Sequence, residues 1–128
     1  MGHKKILLIV IIFSALILIS ACAASGPDQA VAAFWQALVG KDSAQVSSLS
    51  CAAYEPEAQT TLESFNAVET KLKDLSCSVL SQEGDTASVL CSGSIIATYG
   101  SEDMTIDLAA RTYTAKKEGG DWRMCGAE

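Results

Sequence analysis

The sequence predicts an α+β domain in which three helices precede a four-stranded antiparallel meander. Two observations carry that expectation. Up to about residue 72 apolar residues recur at helical spacing, and from about Leu75 their period falls from 3.6 to 2. Runs of helices followed by runs of strands, without βαβ alternation, give an α+β layout.

Each element has its own signals. Pro27 suits the first turn of a helix, Asp28 adds a favourable charge there, and Gly40 offers a stop. Between them Val31, Phe34, Trp35 and Leu38 form one apolar stripe. Asp42 with Gln45 three residues on reads as a capping box for a short second helix carrying Val46 and Leu49. A third helix is expected from near Pro56, with Ala58, Leu62 and Phe65 on one face and an extension through Val68 and Leu72.

In the strand region, odd positions are apolar in both Leu75–Val79 and Ala87–Ala97, and Glu83-Gly84-Asp85 between them reads as a turn. Two further strands are expected, Met104 to about Lys116 and Trp122 to Cys125, with turns at Tyr99–Glu102 and Glu118–Asp121.

Ahead of this domain lies a secretory signal: Lys4-Lys5, an uncharged apolar run from Ile6 to Ile19, then Ser20-Ala21 before Cys22. Ile19-Ser20-Ala21-Cys22 resembles the lipobox of bacterial lipoproteins. That resemblance implies cleavage before Cys22 and attachment of a diacylglyceryl group to its thiol. The expected organisation is a cleaved leader at residues 1–21, a lipidated tether at 22–26 and one domain at 27–128. An uncleaved membrane anchor is the alternative, since no charge falls between Lys5 and Asp28. Either way the domain lies outside the cytoplasm, and its first expected partner is the lipid bilayer, reached through acylated Cys22.

Loss of Lys4 and Lys5 with the leader takes the formal charge from −6 to −8. An acidic surface of that size repels phosphate backbones, so nucleic acid is not an expected partner. The only histidine, His3, leaves with the leader.

Cys51, Cys77, Cys91 and Cys125 remain once Cys22 carries lipid, an even set that suits two disulfides in an exported chain. Four cysteines allow three connectivities. Cys77 and Cys91 stand equally far from the turn centred on Gly84, which puts them opposite each other on one face, within about 5.5 Å Cα to Cα at a non-hydrogen-bonded pair. That favours Cys77–Cys91 and leaves Cys51 for Cys125. A zinc site is disfavoured, because residues 22–128 hold no C-x-x-C pair and no histidine. No metal or other cofactor is expected.

The segments Ala30–Leu38, Gly40-Lys41-Asp42, Gly84–Val89 and Gly119–Cys125 resemble, in order and spacing, the nuclear transport factor two-like (cystatin-like) superfamily, in particular its small bacterial lipoprotein members of unknown function. The resemblance implies a cone: a curved four-stranded antiparallel sheet wrapped around the first helix, often with a pocket inside. Phe34, Trp35, Tyr113 and Met124 are the candidate pocket-lining residues. The superfamily hosts isomerases, dehydratases, ligand binders and interaction modules, so fold leaves function open.

Asp107 sits between Ile106 and Leu108 and would be a base if it faced an apolar pocket. By alternation Met104, Ile106 and Leu108 share the inner face, so Asp107 is expected outward, with Arg111 and Tyr113 on its side. No G-x-S-x-G or glycine-rich phosphate loop is present, and no catalytic residue is assigned. The expected function is a membrane-tethered, non-catalytic domain that holds a small apolar ligand or meets an envelope protein. A small isomerase or dehydratase using a carboxylate and Tyr113 is the alternative.

Overall fold

The computed structural model describes residues 26–128, so the leader and Cys22 lie outside the described residues. Three helices come first: α1 (Pro27–Val39), α2 (Ser43–Leu49) and α3 (Glu55–Asn66). A five-stranded antiparallel sheet follows, made of β1 (Glu69–Glu83), β2 (Thr86–Tyr99), β3 (Glu102–Asp107), β4 (Thr112–Glu118) and β5 (Asp121–Ala127).

The helix signals act as expected. Pro27 opens α1 and Gly40 closes it, with the Gly40 amide donating to Gln36 O. Asp42 caps α2 by accepting from the Gln45 amide at 3.2 Å, but its own amide donates to Ala37 O, so the reciprocal half of the expected capping box does not form. Gln59 Nε2 donates to Ser47 Oγ at 2.8 Å and to Ser43 O at 3.2 Å, tying α3 to α2. The apolar stripe of α1 is the centre of the core: Val31, Phe34 and Leu38 are fully buried, against Val89, Ile95, Ala115 and Met124 from the sheet.

Three expectations need correction. The third helix stops at Asn66, and Leu72 belongs to β1, where it pairs with Ile95 on the inner face. β1 also starts six residues before Leu75. A bulge hides that start: the register runs Lys73↔Ser94 and then Ser76↔Ser92, so Asp74 and Leu75 together oppose Gly93. The inner face therefore carries even positions before the bulge and odd positions after it, and a search for one unbroken alternation finds only the second part.

The single strand expected from Met104 to Lys116 is two strands. Asp107 accepts from the Ala109 amide at 2.9 Å and caps a short 3-10 turn, Leu108–Ala110, which separates β3 from β4. β3 pairs with the second half of β2 and β4 with its first half, so β2 spans both and the sheet order is β1-β2-β4-β5 with β3 beside β2. This turn resets the alternation. Tyr113, expected outward with Asp107, is buried on the inner face, and Met104, expected inside, is 47% exposed.

Two cysteine pairs stand at bonding distance, with Cα separations of 5.2 Å for Cys51 and Cys125 and 4.0 Å for Cys77 and Cys91. The second pair occupies directly opposed positions of the β1–β2 ladder. The first fixes the segment after α2 to β5, where the Cys51 amide also donates to Met124 O at 2.8 Å.

Candidate functional site

The resetting of alternation at Asp107 is what builds the site. It turns Tyr113 inward, where its ring meets Trp35 of α1 edge-on at a centroid distance of 5.3 Å. Trp35 in turn packs edge-on against Phe34 at 5.4 Å, and Tyr54, just before α3, lies 5.9 Å from Phe34. Offset aromatic contacts of this kind add to the stabilisation from burial alone.

Beside this aromatic group a groove of about 460 Å³ opens between α3 and the β3–β4 connection. Trp35, Tyr54, Phe65, Ile95, Ile106 and Tyr113 supply its apolar walls. Glu57, Asp107 and Arg111, all exposed, bring charge to its rim.

Of the four candidate lining residues, Trp35 and Tyr113 reach the groove. Phe34 and Met124 do not: both are fully buried in the core, because α1 turns Phe34 toward α3 and the sheet, while Met124 faces Ala115 across β4. The reading of the sequence placed Phe65 on the core stripe of α3 and missed Tyr54, Glu57 and Thr61. Glu57, Thr61 and Phe65 lie four residues apart along one side of α3 with Tyr54 at its N-cap, and of these only Phe65 belongs to the apolar stripe of Ala58 and Leu62.

The polar chemistry of the groove is largely committed. The Tyr113 hydroxyl donates to Leu108 O at 2.7 Å. Burial pushes the Tyr113 phenol above its ordinary value, against a smaller lowering by the Arg111 charge, and Asp107 adds to the rise. Burial likewise raises the Tyr54 phenol, with Glu57 and Tyr113 adding to it and Arg111 opposing. Both phenols are thus held protonated, and one cation acts on both.

Asp107 is exposed, as alternation predicts, and one of its oxygens is spent on the Ala109 amide. A general base in an apolar cavity would need a buried carboxylate, and Asp107 is not one. The Trp35 Nε1 is buried and finds no hydrogen-bond partner among the described residues. No cluster of three or more metal-ligating side chains occurs among the described residues, and no helix among them is long and apolar enough to cross a membrane.

No protein-family model matches the chain, and no curated protein is significantly similar to it. Among solved structures, it is similar to a SEC-C motif containing protein from Rhodopseudomonas palustris, with 13% identity and a TM-score of 0.45 over 73% of this chain and 70% of that one. A likeness that slight bears on neither family nor function.

Proposed function

We propose that the protein is a lipoprotein held on the extracytoplasmic side of a membrane through acylated Cys22, and that its domain binds without catalysis, taking a small apolar ligand into the groove beside Trp35 and Tyr113. The leader pattern supports the location, and two cysteine pairs at bonding distance fit an oxidising compartment. A cone of the nuclear transport factor two-like kind would place its pocket at the mouth between helix and sheet, and the resemblance in the sequence supports that assignment.

One observation carries the binding reading: the groove joins aromatic walls to a rim whose carboxylates are solvated rather than buried. Ligand pockets are mostly apolar with a few placed polar groups. An isomerase or dehydratase would ask Tyr113 to donate to an oxyanion, yet its proton is engaged by Leu108 O.

Titration with anilinonaphthalene sulfonate, an apolar fluorescent probe, tests the proposal. The parent protein should bind it, and Ala110→Trp, placed on the exposed rim, should weaken binding by about tenfold or more, a loss of roughly 1.4 kcal/mol. Equal binding by a folded Ala110→Trp variant would place the ligand elsewhere.

A further inference from the structure

Five large apolar side chains are exposed among the described residues: Tyr99 and Met104 at the end of β2 and β3 away from the β1–β2 turn, and three others at the turn end. Val79, Leu80 and Leu90 are 40%, 58% and 38% exposed, and all three lie in the half of the β1–β2 hairpin nearest its turn. Val79 pairs with Val89 on the inner face and Leu90 with Ser78 on the outer one, so the two occupy neighbouring rungs of one ladder and leave apolar surface on both faces of the hairpin end. Leu80 is the additional residue of a second bulge, between the pairs Val79↔Val89 and Ser81↔Ser88. From Ser78 onward every residue of β1 is exposed, and no strand among the described residues pairs with its outer edge.

The path of α1 brings the start of the domain to the same end. Its C-terminus lies over the beginning of β1, where Thr70 Oγ1 donates to Val39 O at 3.0 Å. One turn earlier Trp35 meets Tyr113 of β4, which pairs with Val89, and α1 as a whole packs against β5 and β2 as well as β1 and β4. β4 pairs only with Thr86–Leu90, the half of β2 next to the turn. A straight helix that satisfies both constraints runs from the turn half of the sheet toward the opposite end, so the chain enters α1 on the turn side. From Cys22 to Gly26 four peptide links span at most about 14 Å.

On this basis we propose that the turn end of the β1–β2 hairpin rests in the bilayer interface, with Leu80 and Val79 against the lipid. The proposal builds on the lipid anchor at Cys22. A tether this short holds the hairpin end beside the membrane, so contact there is an intramolecular event at high effective concentration.

The occupant fits the surface. Lys116, Lys117 and Arg123 sit on adjacent strands at this end, with Lys117 over the Trp122 ring at 5.9 Å, and amphipathic Trp and basic side chains are at home at headgroup level. Glu83, Asp85, Glu118 and Asp121 on the two turns outnumber those three cations by one, which leaves no net positive charge to hold anionic lipid. The contact is therefore apolar in character, made with zwitterionic lipid and insensitive to salt. The bulge at Leu80 interrupts the edge of β1 within the patch itself and so disfavours the rival occupant, a second copy adding to that edge.

The test uses the full-length acylated protein in phosphatidylcholine vesicles with and without brominated acyl chains. Two exposed positions receive a reporter: Leu80→Trp at the hairpin end and Tyr99→Trp at the opposite end of β2, each read against the parent protein. Leu80→Trp should show blue-shifted emission and lose most of the added signal to the brominated lipid, in low and high salt alike. Tyr99→Trp should keep its signal. A protein that floats with the vesicles but whose two reporters are quenched equally, or not at all, overturns this inference alone. A patch that cross-links to a second copy while Leu80→Trp stays unquenched also overturns it. A protein that fails to float at all overturns the anchor on which it rests.

Discussion

Gly93 has φ +98°, and a Cβ built on it would lie 2.5 Å from Asp74 O and 2.6 Å from Lys73 O. Both contacts are with backbone that cannot step aside without breaking the bulge. Asp74 opposite has φ +55°, so the two strained residues fit each other. Gly93→Ala should therefore destabilise the domain by about 3 kcal/mol, more than a glycine in open space such as Gly84 would cost. Thermal unfolding of both alanine variants checks this, and equal losses would remove the bulge from the account. Tyr113 is the second decisive residue. Tyr113→Phe leaves Leu108 O unpaired in the interior and should cost roughly 1–3 kcal/mol. Because the folded phenols of Tyr54 and Tyr113 bind their protons more tightly than the unfolded chain does, their contribution is complete below about pH 10 and is lost as pH rises through the raised values. Melting temperature followed above pH 10 should fall, and fall less steeply in Tyr113→Phe.

At the scale of elements, the two cysteine pairs differ in what they hold. Cys77 and Cys91 are 14 residues apart within one hairpin that hydrogen bonds already register, whereas Cys51 and Cys125 are 74 apart and join the helical half to the last strand. In the chain-entropy picture the longer loop is worth about 4 kcal/mol and the shorter about 3. Replacing Cys51 and Cys125 together by alanine should lower the melting temperature more than replacing Cys77 and Cys91 together. Most elements were legible because their signals are local: Pro27, the Asp42 cap and the period-2 run around Cys91 need no distant partner. What stayed hidden was set by breaks in periodicity. The Asp74 bulge concealed the first half of β1, and the Asp107-capped turn concealed the division of β3 from β4. Half of the site was hidden for the same reason, since the parity that sends Tyr113 outward holds only if the strand is unbroken. Trp35 was legible as part of a helical stripe, but nothing in the sequence separates a core position such as Phe34 from a groove wall one residue away.

For the molecule as a whole, the proposed anchor and the proposed hairpin contact put the groove and the exposed hairpin end to separate uses. The groove lies between α3 and the β3–β4 connection, beside the second half of β2, while Val79, Leu80 and Leu90 lie along its first half. An anchor at Cys22 would draw the hairpin end toward the membrane and leave the groove open to the surroundings. That division of labour depends on one covalent event, cleavage before Cys22 and its acylation. Mass spectrometry of the N-terminal peptide from the membrane fraction tests it most directly. The account predicts a peptide that begins at Cys22 and carries a diacylglyceryl group, and a Cys22→Ala variant that is neither lipidated nor cut there. An unmodified Cys22 inside a chain that still begins at Met1 would contradict it.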